Sequence, residues 1–290
     1  MKPRYLHIGS FNIEHFGRED KKTENQFAIA EHIELSGVQV LALQELYVTN
    51  DIDENSVLEN SFLRDALDLV EEHTGNRWDY LIFRNNFWMD KEQLCGIAWN
   101  TDRVRRQGDP LRIEVKNRLQ HQGKSYSLWD RHPHAVKFQV IPGEDEDLQL
   151  TDFVMISVHM KSNVGSQYEV KIKRGLEAAQ LVEQIPAIIN HFGDDEDIVI
   201  IGDTNCKNSE EPAIKTLVSA GFEDLNSDDI STYYKGNSAP FDRIFVPRER
   251  PPFDFSRQYI MRSASPLEHD MYLSDHFIIK ASIIVRQDDD

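Results

Sequence analysis

The stretch Ile198-Val-Ile-Ile-Gly-Asp-Thr-Asn205 decides how the rest of this chain is read. Four consecutive β-branched residues suit a strand buried on both faces. They stop at Gly202, and Asp203 and Asn205 follow at once. Alternate side chains share a face in an extended chain, so this carboxylate and amide are expected to project together from the strand tip. Taken alone, Gly-Asp-x-Asn is also an ordinary turn sequence. Its weight comes from the same arrangement recurring elsewhere.

Outward in both directions, apolar runs again end in polar groups. Residues 5–11 lead to Asn12, residues 38–43 to Glu45 and residues 153–158 to His159, while Asp275 and His276 precede the run 277–285. Groups so far apart in sequence converge only if the strands lie side by side and deliver their tips to one edge. Helical patterns separate the runs. Thr23-Glu-Asn-Gln26 resembles a capping box ahead of a helix over 27–35 that stops at Gly37. A second helix is expected over 57–73 with Gly75 as its C-cap, a third over 167–192 with a kink at Pro186, and a fourth over 211–220. Further strands are expected at 79–83, 94–99, 111–115, 135–140, 242–246 and 258–261. Alternating strands and helices point to an α/β protein. Because the polar groups run from Asn12 to His276, the expectation is a single domain over 1–290 with a short, disordered acidic tail.

The chain has 290 residues, of which 40% are hydrophobic and 28% charged, an ordinary globular composition. Two cysteines, Cys95 and Cys206, are too few for a disulfide framework. No stretch has the apolar length of a membrane span or a secretory signal, so a cytoplasmic protein without stable membrane insertion is expected. The net charge of −18 argues against a nucleic-acid partner, although much of it sits in 144–147, 194–197 and 288–290. Between Arg103 and Arg131 the balance reverses, with eight basic residues against three acidic ones.

A carboxylate at a strand mouth, such as Glu45, suits a hard divalent cation such as Mg²⁺. Asn12 can touch cation or phosphate, and Glu14, two residues on, is a candidate further ligand. Asp203 can orient or deprotonate a water that Asn205 fixes. His159 and His276 can donate to phosphate oxygens as negative charge grows there. Asp242 is a candidate to hold one imidazole, Asp275 to complete the cation site, and Arg131 to grip phosphate through its forked guanidinium. Each residue alone has a plainer reading as a turn, cap or edge polar group.

Together, Ser-Phe-Asn12-Ile-Glu14, Gln-Glu45, Val-His159-Met-Lys-Ser, Gly-Asp203-Thr-Asn205, Phe-Asp242-Arg-Ile and Ser-Asp275-His276 occur in the order of the motif series of the endonuclease/exonuclease/phosphatase superfamily, which the chain resembles over nearly its whole length. The resemblance implies a deoxyribonuclease I-like fold, a four-layer α/β sandwich of two mixed β-sheets packed face to face and flanked by helices. It implies Glu45 as principal Mg²⁺ ligand (Mn²⁺ as an alternative) with Asn12 and Asp275, and Asp203 with Asn205 as the water-activating pair. It further implies His159 and His276 beside the phosphate, Asp242 orienting His276, Arg131 contacting phosphate and Glu92 supporting His159. Thr204 departs from the usual aromatic residue at its position. Phe87, Trp88 and Met89 could stack on a base or dip into a membrane, though packing under a loop is the plainer reading. The expected activity is hydrolysis of nucleic acid, with DNA favoured. The alternative is a phosphatase or phospholipase-type enzyme acting on a phosphoinositide, sphingomyelin or small phosphoester. A non-catalytic binding protein on the same scaffold is a third reading, disfavoured because every reactive position is occupied.

Overall fold

The computed structural model describes residues 4–18, 25–85, 92–142, 151–226, 228, 230–235, 239–263 and 265–286. The chain opens with β1 (Arg4–Phe16), α1 (Gln26–Ser36), β2 (Val40–Leu46), α2 (Ser61–Thr74), β3 (Trp78–Ile82) and β4 (Leu94–Asn100). It continues through β5 (Val104–Arg112), a hairpin of β6 (Arg118–His121) and β7 (Lys124–Ser127), then β8 (His134–Val140), β9 (Asp152–His159) and α3 (Gln167–His191). The remainder is β10 (Ile198–Asp203), α4 (Pro212–Ser219), β11 (Phe222–Asp224), β12 (Asp242–Pro247), β13 (Tyr259–Met261), α5 (Pro266–Tyr272) and β14 (Ile278–Val285).

Two six-stranded mixed sheets result, ordered β13-β14-β1-β2-β4-β3 and β11-β12-β10-β9-β8-β5. Alternation along the central strands explains why they stack. In β10, Val199 and Ile201 enter the core between the sheets, while Ile198 and Ile200 face the layer containing α3 and α4. In β1, Leu6 and Ile8 enter the same inter-sheet core, and Phe11 and Ile13 pack with residues of α1 and α2. Strands apolar on both faces need cover on both, which gives three cores and four layers. At ~25 cal/mol per Å², each fully buried Ile or Phe contributes roughly 1.5–3 kcal/mol. The fold is the expected four-layer sandwich.

Local details differ from the sequence reading. The α1 cap is Asn25, whose side chain accepts from the Ala28 N–H, and Thr23 lies outside the described residues. Asn60 caps α2, so that helix starts at Ser61 rather than 57. Pro186 lies inside α3, which spans Gln167–His191. Strand β5 replaces the expected 111–115 piece, because exposed polar residues blur the pattern of an edge strand. Neither the β6–β7 hairpin nor α5 was expected. Residues 87–89, the acidic run 144–147 and the tail 287–290 fall outside the described residues. No described helix is long and apolar enough to cross a membrane.

Candidate active site

Strand register brings the polar tips together. Asp203 at the end of β10 is paired with His159 of β9 on one side and Asp242 of β12 on the other. In the opposing sheet Asn12 of β1 is paired with Gln44, next to Glu45, and His276 lies two residues before β14. The six side chains therefore come from both sheets. With Asn205 and Asp275, most of them line a cleft of about 920 Å³.

Asp203 is the hub. Its Oδ2 accepts the Asn12 amide N–H at 3.1 Å and lies 3.5 Å from His159 Nε2 and 3.9 Å from His276 Nε2. Its Oδ1 accepts the Asn205 backbone N–H at 2.8 Å. The chain does not stay extended here, as φ at Asn205 is +55° and its side-chain amide donates to the Met160 carbonyl. Gly202 is required by space. Its φ is +145°, and a Cβ there would lie 2.0 Å from the Val158 carbonyl oxygen of the neighbouring strand.

His276 is set by Asp242. The imidazole Nδ1–H donates to Asp242 Oδ2 at 2.8 Å, and the Thr232 hydroxyl donates to the same oxygen at 2.6 Å. Thr232 in turn accepts the Asp242 backbone N–H. Ser274 ties the loop down by donating to the Asn12 carbonyl and accepting the His276 N–H. Tyr233 packs edge-on against the imidazole at 4.9 Å.

Burial and charge move these groups apart in proton affinity. Burial pushes Asp203 up to about 7, with the neighbouring Asp242 and Glu45 adding to the rise and His276 opposing it. Burial acts to lower His276, but Asp242, Asp203 and Asp275 outweigh it and raise the imidazole to about 10. His159 is held well below its ordinary value by burial first, then by Arg131 and His276. The cleft thus holds an acid with raised proton affinity, a cationic imidazole and a neutral one.

Glu45 is partly buried at the cleft wall, 3.3 Å from the Asn12 amide, 3.9 Å from His159 Nε2 and 3.2 Å from His15 Nδ1. A Mg²⁺ or Mn²⁺ ion asks for one or two carboxylate oxygens and room for its waters. Glu45 and Asp275 provide such oxygens in the cleft, so the donor chemistry fits. The tightest acid and histidine group is Asp203, Asp242 and His276, whose ligand atoms lie within 4.8 Å of one another. All three are buried, His276 is hydrogen-bonded to Asp242 and 3.9 Å from Asp203, and this suits proton handling better than a hydrated ion.

Four expectations are revised. Asn12 turns its oxygen to the Glu14 N–H at 3.1 Å and its amide N–H groups to the carboxylates, so it serves as a donor rather than a ligand. Glu14 does not continue an extended face, because φ is +43° there and +64° at His15, and its carboxylate accepts from Lys235. Arg131 is buried away from the cleft lining, donating to the Met160 carbonyl beneath the tip of β9. Glu92 is exposed, and His159 Nδ1 is buried without a hydrogen-bond partner among the described residues. The basic stretch 103–131 contributes nothing to the cleft lining; Arg112 donates to the carbonyls of Arg84 and Asn85, and Lys124 pairs with Glu169. Several cleft residues escaped the sequence reading, namely His15, Gln93, Lys207, Tyr233 and Lys235. His15 had a local signal, since it follows the Asn12–Glu14 motif directly.

No protein-family profile and no curated protein matches the sequence. Solved structures do match. An endonuclease/exonuclease/phosphatase family protein from Leptotrichia buccalis superposes with a TM-score of 0.62 at 16% identity, covering 96% of this chain and 99% of that one. TDP2 from D. rerio, complexed with single-strand DNA product, gives 0.59 at 14% identity over 98% and 99% of the two chains. A mannosyl-6-phosphatase from Bacteroides thetaiotaomicron gives 0.58 at 16% identity over 96% and 99%. The architecture is a double-sheet α/β sandwich with a polar cleft at its strand tips. This is the fold of the endonuclease/exonuclease/phosphatase superfamily.

Proposed function

We propose that this chain is a divalent-metal-dependent phosphoesterase that hydrolyses nucleic-acid phosphodiester bonds, DNA being the favoured polymer, by in-line attack of water. The observation that carries the reading is the meeting of Glu45, His159, Asp203 and the Asp242–His276 pair in one cleft. Mg²⁺ or Mn²⁺ held by Glu45 and Asp275 would polarise a phosphoryl oxygen and offset its charge. Asp203, with proton affinity near neutral pH, is suited to take a proton from the attacking water. Asn205 fixes the Asp203 carboxylate through its backbone N–H. His276, cationic and oriented by Asp242, donates to a non-bridging oxygen as negative charge builds. His159 approaches the same phosphate from the neighbouring strand. Holding water and phosphorus in line supplies ~7–11 kcal/mol of barrier lowering in well-oriented systems.

A second reading, hydrolysis of a compact phosphomonoester or phosphoinositide, is favoured by one observation. None of the basic stretch 103–131 lines the cleft, and the chain carries −18 charges. A panel of single- and double-stranded DNA, RNA, sugar phosphates and phosphoinositides, each with Mg²⁺, Mn²⁺ or chelator, tests both. Cation-dependent DNA cleavage, silenced by chelation and restored by added cation, is expected. Turnover of monoesters alone would move the assignment to the second reading, and no turnover of any ester would overturn both.

A further inference from the structure

Lys235 reaches into the cleft from the segment before β12. Its ammonium lies 2.8 Å from Glu14 Oε1, 2.9 Å from Asp270 Oδ1 and 3.3 Å from Asp275 Oδ2. These carboxylates come from three separate places: the bent end of β1, helix α5 and the residues before β14. Glu14 is fixed from its other side, since its Oε2 accepts the Asp275 backbone N–H at 3.2 Å. Holding Glu14 there takes positive φ at two consecutive non-glycine residues, a backbone state that typically costs ~1–3 kcal/mol per residue. Such a bend persists only where surrounding contacts enforce it.

Asp275 looks two ways. Its Oδ2 faces Lys235, and its Oδ1 is 3.9 Å from His276 Nε2. One carboxylate therefore adjoins both the Lys235 charge and the reacting centre. In two-metal hydrolytic sites, neighbouring ions sit ~3.5–4 Å apart in a shared carboxylate frame. Here Glu14, Asp270 and Asp275 surround an ammonium, and Glu14, Asp275 and Lys235 line the same cleft as Glu45. A tethered ammonium brings one charge, coordinates no water as a metal ion does and cannot dissociate.

We propose that Lys235 is a built-in cation filling the second-ion position of the cleft, so that the site takes one exchangeable divalent ion instead of two. The inference rests on the phosphoesterase reading for the first ion, held by Glu45 and Asp275. Lys235 is then a positioning residue: it neutralises the acids behind Asp275 and leaves that residue's other oxygen to the reacting centre.

The test counts ions in the whole chain by Mn²⁺ titration, with free Mn²⁺ read by electron paramagnetic resonance. Wild type and Lys235→Arg are expected to bind one Mn²⁺, and Lys235→Met two. Lys235→Cys is expected to bind two, then one after alkylation with bromoethylamine, which displaces bromide and restores an ammonium through a new S–C bond. Cys95 and Cys206 are buried, so the reagent meets only the introduced thiol. Two ions in wild type, or one in both Met and unalkylated Cys variants, overturns the inference and leaves the phosphoesterase reading standing. No ion in wild type overturns that reading itself and this inference with it.

Discussion

Replacing Gly202 by alanine places one methyl group where the β9–β10 pairing leaves no room. The added carbon would sit 2.0 Å from the Val158 carbonyl oxygen, 3.0 Å from its carbon and 3.1 Å from its nitrogen. All three are backbone atoms of a fully buried strand, so no side chain can swing aside. Relief requires the parallel strands to separate, which stretches the ladder on either side of Asp203. Overpacking of this kind costs ~1–3 kcal/mol or more. The φ of +145° adds ~1–3 kcal/mol for a residue with a side chain. The sum, about 2–6 kcal/mol, is a large share of the ~5–15 kcal/mol that holds a typical domain folded. Urea unfolding followed by far-UV circular dichroism should show this loss, and thermal melts a Tm lowered by roughly 3–10 °C. Gly37→Ala is the control: φ is +68°, but nothing lies within 4 Å of the added carbon, so only about 1–2 kcal/mol of left-handed strain is expected. If the two variants melt alike, or Gly202→Ala matches wild type, close strand approach is not why glycine stands before Asp203.

Asp203→Ala and His276→Ala should keep a cooperative melt yet reduce kcat by about 10³-fold or more, and single-turnover hydrolysis at saturating cation checks this. The buried imidazoles of His32 and His134 are lowered by burial to about 4 and about 3. Depressed values mean that their contribution is intact above pH 6.5 and is lost as pH falls through the folded values. The stability advantage of wild type over His134→Gln should therefore shrink by ~1.4 kcal/mol per pH unit below about 6.5, read from urea midpoints between pH 7 and 4. Arg174 and Glu211 form a buried ion pair at 2.5 Å linking α3 to the start of α4. Arg174→Met alone should cost about 3–5 kcal/mol, and adding Glu211→Gln should return part of it; an additive loss in the double variant would refute the coupling.

The polar strand tips are readable in the sequence because each closes or opens an apolar run, and strand pairing carries that one-dimensional fact directly into space. Asp203, His159 and Asp242 needed nothing more than register to meet. Orientation was a different matter. Glu14 reads as sharing a face with Asn12 only if the chain stays extended, and two left-handed residues break that assumption. Arg131 rests on residue type and resemblance and Glu92 on resemblance alone, and neither says whether a side chain faces the cleft or the layer beneath it. Lys235 and Tyr233 come from a connecting segment with no periodic pattern, so their position is purely tertiary. Two missed elements did carry signals. Ser265-Pro-Leu-Glu268 is a helix start, and the Ser265 hydroxyl does accept the Glu268 N–H. Gln122-Gly123, both at positive φ, joins β6 to β7 as a primed hairpin turn does.

Asn12 and Glu45 belong to one sheet, whose strand β14 His276 leads into, and His159, Asp203 and Asp242 to the other. A half-assembled molecule, with either sheet formed but the two not yet docked, therefore owns no complete set of reactive groups. On the proposed reading, hydrolysis would be an all-or-none report of final assembly, recovering in refolding only with the last packing event. A nascent or damaged copy therefore lacks the assembled cleft by its own architecture.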